Sequence, residues 1–109
     1  MDQIDAVEMI GNQLTQIDMA IARLSPSDPH VGELTTLRRN LDQQQQQLVK
    51  MAFDDNTAQF QEAAAALKAV NDEIAVDIQK IDRIAMVIDG VTRFLVSATN
   101  LVTTAAKFV

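Results

Sequence analysis

The residues of this chain that could carry acid–base chemistry are one histidine and a row of carboxylates. His30 is the single histidine, and the chain has no cysteine that could form a nucleophilic pair with it. It falls at the predicted second position of a helix, where the helix dipole disfavours its charged form. A lone histidine beside a turn is typical of a surface position, so we predict no catalytic residue.

Carboxylates recur along the C-terminal half of the chain, where Glu73 and Asp77 are four residues apart and Asp82 and Asp89 follow. Bundles that bind metal through carboxylates use Glu-x-x-His pairs on two helices, and the sequence contains no such pair. We interpret these carboxylates as the solvated, ion-paired face of a helix. The sequence therefore predicts no metal, no cofactor and no enzymatic activity.

The charge balance argues against nucleic acid as a partner. The 109 residues include 9 Lys and Arg against 15 Asp and Glu, a formal net charge of −6, and the basic residues are scattered. Phosphate binding depends on clustered Lys and Arg. The N-terminus is acidic where a secretory signal would be basic, and no continuous apolar run follows it. We expect a cytoplasmic location by default and leave export by a signal-less route open.

The spacing of apolar residues predicts one all-α domain, residues 1–109, built from three helices. Apolar side chains recur every three or four residues over about 3–24 and about 29–53, except that Gln44 interrupts the second row between Leu41 and Leu48. Pro26 and Pro29 separate these two helices, because proline cannot continue the helical hydrogen-bond ladder. The connection is short, so we predict that the two helices form an antiparallel hairpin.

The third predicted helix, about 57–109, is too long for the first two to cover, since a straight helix of that length measures about 80 Å. Either it breaks near 89–90 and its last part folds back to close a four-helix bundle, or it continues and buries its distal half against another copy or another protein. Gly90 is a weak break signal without Pro or a polar loop around it, so we favour the long helix. The predicted fold is a helical hairpin plus a long third helix, in a three- or four-helix bundle or coiled-coil-like arrangement that is oligomeric.

Residues 81–109 carry a wide apolar face that another surface must cover. Its central row is Ile81, Ile84, Ile88, Val91, Leu95, Ala98, Val102, Ala105 and Val109, and a neighbouring row is Val87, Phe94, Leu101 and Phe108. We predict that the protein associates with a second copy or with a helical partner through this face. The predicted contact residues are Val87, Val91, Phe94, Leu95, Ala98, Leu101, Val102, Ala105 and Phe108.

Small residues lie along one edge of this face. Thr92, Thr99 and Ala106 flank the row that contains Ala98 and Ala105, so another helix could approach closely there. Replacing Leu101 and Phe108 with Asp is expected to abolish the assembly. The sequence thus favours a non-enzymatic protein–protein interaction module.

The size of the chain, its two-proline turn and the segment 60–64 resemble the WXG class of small secreted helical-hairpin proteins. The Trp-x-Gly turn that defines this class is absent, because the chain contains no Trp and its turn reads Ser-Pro-Ser-Asp-Pro. We therefore transfer no residue role from this resemblance.

Two other functions remain open at this point. Residues 94–106 are uncharged, and a membrane-active or toxin-associated helical protein could insert such a helix or lay it on a bilayer, although a span needs about 20 residues. Including Asp89 and Arg93 lengthens the segment at a cost of roughly 2.5–3.5 kcal/mol for each charge at a helix centre. An acidic immunity or regulatory protein that masks a basic partner is the second alternative.

Overall fold

The computed structural model describes residues 1–109, except for the side chain of Ile81, so the prediction for that side chain lies outside the described residues. The described backbone is all-helical and has no strand. Four α-helices follow one another as α1 (Gln3–Arg23), α2 (His30–Lys50), α3 (Ala58–Ile74) and α4 (Ile84–Ala106). Two short 3₁₀ helices, Asp77–Gln79 and Ile81–Arg83, connect α3 to α4.

The first three helices begin just after residues whose side chains accept hydrogen bonds from the first free N–H groups of each helix. Asp2 caps α1 by accepting a hydrogen bond from the backbone N–H of Asp5 at 2.8 Å, and the side chain of Asp5 accepts in return from the N–H of Asp2. The carboxylate of Asp28 accepts from the N–H of His30 at 2.9 Å and so satisfies the start of α2. The Thr57 hydroxyl accepts from the N–H of Phe60 at 3.2 Å and does the same for α3.

The prediction of one continuous third helix is wrong. α3 ends at Ile74, α4 begins at Ile84, and the longest dimension of the molecule is 44 Å, about half of what a straight helix over 57–109 needs. The predicted alternative break at 89–90 is also wrong, because Gly90 lies inside α4. The physical reason is packing: a Cβ at position 90 would lie 2.9 Å from Cγ2 of Ile74, so the glycine permits a close approach of α4 to α3.

Polar contacts join the helices to one another. Arg38 of α2 binds Asp18 of α1, and Gln3 at the start of α1 donates to the carbonyl of Met51 just after α2. Arg93 of α4 binds Glu73 at the end of α3. α4 packs along both α2 and α3 and lies between them.

The core is continuous along the molecule and receives side chains from every α-helix. Its largest fully buried members are Ile10, Ile17, Leu34, Leu41, Leu48, Phe60, Leu67, Val87, Val91, Phe94 and Leu101. Burying one such side chain stabilises the fold by roughly 1.5–3 kcal/mol. Since α4 contributes four of these residues, its apolar face is largely covered inside the chain.

Candidate functional site

Most of the predicted contact face lies in the core and is covered by the chain itself. Seven of the nine residues are at most 4% exposed, which corrects the expectation that they face a partner. The fold-back after α3 places α2 and α3 over this side of α4, so these residues stabilise the monomer. The seven are Val87, Val91, Phe94, Ala98, Leu101, Val102 and Ala105. The other two, Leu95 and Phe108, are half-buried.

The side of α4 that its neighbours leave uncovered carries a stripe of apolar and β-branched residues. Val96 is 66% exposed, and Ile88 and Leu95 are half-buried at the edge of the core. Their spacing places them on one side of the helix together with two exposed threonines. We call this surface the outer stripe, and it consists of Ile88, Thr92, Leu95, Val96 and Thr99.

The hydroxyl groups of the outer stripe are already paired within the helix. The Thr92 hydroxyl donates to the carbonyl of Ile88 at 2.8 Å, and the Thr99 hydroxyl donates to the carbonyl of Leu95 at 2.8 Å. A hydroxyl that is bonded to its own helix keeps a partner when another surface covers it. The outer stripe can therefore be buried without leaving these donors unsatisfied.

A groove of about 450 Å³ runs beside the outer stripe, between α2 and α4. Position 32 forms an open part of this groove, because a Cβ there would have nothing within 4 Å. The Thr36 hydroxyl donates to the carbonyl of Gly32 at 3.0 Å, so this polar group is also satisfied. Glu33 is the one charged group of the lining. The groove is lined by Gly32, Glu33, Thr36, Leu37, Ile88 and Thr92.

A second groove, also of about 450 Å³, lies on the other side of the stripe between α3 and α4. Val70 forms its α3 wall, and its α4 side carries one apolar residue, Val96, among the polar Thr92, Arg93, Ser97 and Asn100. The outer stripe is thus a ridge between two grooves. The apolar side of another helix can pack on a ridge that is flanked by grooves.

Among the residues considered for acid–base chemistry, His30 and Asp77 make local contacts, whereas Glu73 binds Arg93 between α3 and α4. His30 Nδ1 lies 2.8 Å from Asp28 Oδ1 in the turn between α1 and α2. Hydrogen bonds from the backbone N–H of His30 and then from its ring lower the pKa of Asp28 below its usual value. Asp77 lies 3.9 Å from Lys80. Within the described residues, no group of three or more His, Asp or Glu is arranged to hold a metal ion.

The burial of Gln13 was not predicted from the sequence. Gln13 is 5% exposed, and its Nε2 donates to Asn71 Oδ1 at 2.7 Å across the α1–α3 contact, whereas its Oε1 has no partner among the described atoms. The available signal was its spacing, because Gln13 lies three residues after Ile10 on the apolar side of α1. Its buried oxygen marks the α1–α3 contact as less well satisfied than the rest of the core.

α4 also meets the length and composition requirements of a membrane span. It is 23 residues long, and 33% of its most apolar window is buried inside the chain. The core helix of a soluble protein meets the same requirements, so the finding does not by itself identify a membrane segment.

Similarity to known proteins gives no information about the outer stripe. Comparison of the chain with protein-family models, with curated proteins and with solved structures finds no match in any of the three.

Proposed function

We propose that the protein is a non-enzymatic helical module that associates with another helix, of a partner protein or of a second copy, through the outer stripe of α4. The observation that carries the proposal is the chemistry of the stripe. Its exposed surface is apolar at Val96, and its threonine hydroxyls are already bonded within α4. In this proposal α1 and α2 form a hairpin that supports α4, and the assembled form is an oligomer.

The free energy available from such a contact is modest at each position and adds along the helix. Fully burying a side chain of the size of Val96 contributes roughly 1.5–3 kcal/mol, and the half-buried Ile88 and Leu95 would contribute less. Gly32 and Thr36 present little bulk at the neighbouring groove, so a partner side chain could enter it. A helix that contacts four or five such positions makes the kind of interface that amphipathic helices use.

The salt dependence of binding is expected to differ between a second copy and a basic partner protein. A second copy carries the same formal net charge of −6, so the two copies repel each other and salt should strengthen self-association. A partner with basic residues near Glu33 would bind more weakly as salt rises. The sign of the salt dependence therefore distinguishes self-association from binding of a basic protein.

Replacing Val96 with Asp is expected to abolish self-association. The new carboxylate would have to lose its hydration at the centre of the contact, and burying an unpaired charge is strongly unfavourable. The protein is refolded as a dilute monomer and concentrated only in the native state. Sedimentation velocity over a concentration series should then show the wild-type mass rising with concentration and the variant remaining a monomer.

The matched control is Val49→Asp, because Val49 is a valine of similar exposure, 57% against 66% for Val96, on α2 instead of α4. The control should associate as the wild type does. A wild-type protein that stays monomeric at every concentration and salt would contradict self-association. Equal effects of the two substitutions would show that association does not depend on the outer stripe.

Membrane association is the second candidate, favoured by the length and apolar composition of α4. In this case α4 would leave the bundle and lie in or across a bilayer, with Asp89 and Arg93 opposing deep insertion. Vesicles of neutral and anionic lipid should then sediment with the protein. Failure to sediment with either vesicle over the pH range 4–8 would contradict this candidate.

A further inference from the structure

The turn between α3 and α4 is the least specified of the three turns in its local sequence. The turn before α2 contains Pro26 and Pro29, and the turn before α3 ends on the capping hydroxyl of Thr57. Residues 75–83 contain neither Pro nor Gly, and Arg83 at the start of α4 makes no capping hydrogen bond with its side chain. Nothing in the local sequence of this turn forbids a helix.

The backbone of the turn is close to helical. Ala75, Val76 and Ile84 have right-handed helical dihedral angles, with φ and ψ of −56° and −35°, −83° and −40°, and −57° and −33°. Lys80 departs from them with φ −92° and ψ 72°, and Arg83 departs with φ −116° and ψ 54°. Both residue types have good helix propensity, so neither requires the dihedral angles it adopts here.

The apolar sequence pattern runs through the turn without losing its helical register. The row Leu67, Val70, Ile74, Ile78, Ile81, Ile84 and Ile88 keeps spacings of three and four from α3 into α4. Two helices that only fold back on each other need no common register across their connection. The pattern is the one that a single continuous helix requires.

Tertiary contacts, then, hold the turn in its bent form. Gly90 packs against Ile74, Arg93 binds Glu73, and Phe94 is buried in the core. Each of these contacts joins α4 to the rest of the molecule across the turn. Each could equally be made with the α2 and α3 of a second copy, because the same residues would meet.

We propose that residues 75–83 act as a hinge, and that two copies exchange α4 to form a dimer. In this dimer each chain has one continuous helix over about 58–106, roughly 74 Å long, and its α4 packs on the α2 and α3 of the other copy. The contacts of α4 with α2 and α3 are retained, and the turn residues gain helical hydrogen bonds. These gains offset the contacts that the bent turn makes itself, the burial of Ile78 and the hydrogen bond from Arg23 to the carbonyl of Gln79. This exchange goes beyond the proposed association through the outer stripe, which leaves the monomer fold closed.

The test is a proline at the first position of α4. Ile84→Pro fits the closed form, because the φ of −57° is that of proline and Arg83 before it already lies outside the α region. In a continuous helix the same proline removes a hydrogen bond and clashes with the carbonyl four residues earlier. With two chains affected, the constant for exchanged dimerisation should fall on the order of 10⁴-fold.

The matched control is Ile84→Ala, which removes the same apolar side chain and keeps the helix. Both changes are made in a chain that carries Val96→Asp, so that association through the outer stripe does not contribute. The proteins are refolded at high concentration, diluted, and measured at once by size exclusion with light scattering. An exchanged dimer persists after dilution because α4 must leave the core before the copies separate.

The expected result is a persistent dimer in the Val96→Asp chain and in its Ile84→Ala derivative, and monomer in the Ile84→Pro derivative. Lys80→Gly is a second variant in the same chain, since glycine adopts the observed dihedral angles of the hinge without strain and disfavours a helix. It should lower the dimerisation constant on the order of 10-fold. Equal dimer fractions in the Pro and Ala derivatives would overturn the proposal, and so would monomer alone in the Val96→Asp chain. Neither result would bear on the outer stripe, whose test compares Val96→Asp with the wild type.

Discussion

Replacing Phe94 with Ala is expected to lower the free energy of unfolding by about 3–5 kcal/mol, the range found when a fully buried aromatic ring is deleted. Phe94 is 1% exposed and lies in the part of α4 that faces the rest of the core. A domain of this size has a total stability of about 5–15 kcal/mol, so the substitution should remove a large share of it. Thermal or urea unfolding followed by circular dichroism measures the difference.

Phe108→Ala is the matched control for this substitution. Phe108 belongs to the same sequence row and, like Phe94, is seven residues from Leu101. It is half-buried and lies just after the C-terminal end of α4. We expect Phe108→Ala to lower the free energy of unfolding by no more than about half as much as Phe94→Ala, because the half-buried Phe108 ring buries less apolar area in the folded state. Similar small losses for both variants would show that α4 does not form part of the core.

Gly90→Ala and Gly32→Ala are expected to change stability in opposite directions. Both glycines lie inside helices, where alanine is favoured by about 1 kcal/mol on propensity alone. At position 32 the added Cβ meets nothing within 4 Å, so the gain should appear nearly in full. At position 90 the Cβ would lie 2.9 Å from Ile74 Cγ2, and overpacking of this kind costs typically 1–3 kcal/mol.

The pair is measured by urea unfolding of the two variants and the wild type at low protein concentration. We expect Gly32→Ala to be more stable than the wild type and Gly90→Ala less stable, with roughly 2 kcal/mol between the variants. Because the propensity term is common to both, their difference reports the α3–α4 approach. A Gly90→Ala variant that is as stable as Gly32→Ala would contradict the close packing of Gly90 on Ile74.

The all-helical class and the first turns could be predicted from the sequence because their determinants are local. Pro26, Pro29 and the apolar spacing specify where α1 and α2 separate, and Thr57 is a capping residue at the start of α3. The break at 75–83 could not be predicted in this way. It depends on whether α4 gains more by packing on α2 and α3 than the turn loses in helical hydrogen bonds, and that comparison involves residues far apart in the chain.

The same limitation applies to the candidate site. The apolar rows of α4 correctly marked residues that must be covered, but periodicity cannot distinguish cover by the same chain from cover by another. Leu101 illustrates the consequence: it is fully buried, so Leu101→Asp would unfold the monomer and cannot serve as the interface test that the sequence suggested. Val96 takes its place because it is exposed on the opposite side of the helix.

The sequence did contain part of the site. The positions of Thr92 and Thr99 along one edge of α4 indicated where another helix could approach. What it could not show is that both hydroxyls bond to their own helix and that Gly32 and Thr36 of α2 open a groove beside them. These features depend on rotamers and on the placement of α2 against α4.

The chain folds back after α3, so that α4 is covered by its own α2 and α3, and the distance between α3 and α4 tests this most directly. The chain has no native cysteine, so fluorophores can be attached to Glu62→Cys and Asn100→Cys, which replace exposed residues of α3 and α4 on one shared groove. Single-molecule energy transfer at picomolar concentration, where the chain is a monomer, measures their separation. We predict high transfer efficiency from a short distance. A separation near 57 Å, the length of the 38 helical residues between the two positions, would show a continuous third helix and contradict the fold-back.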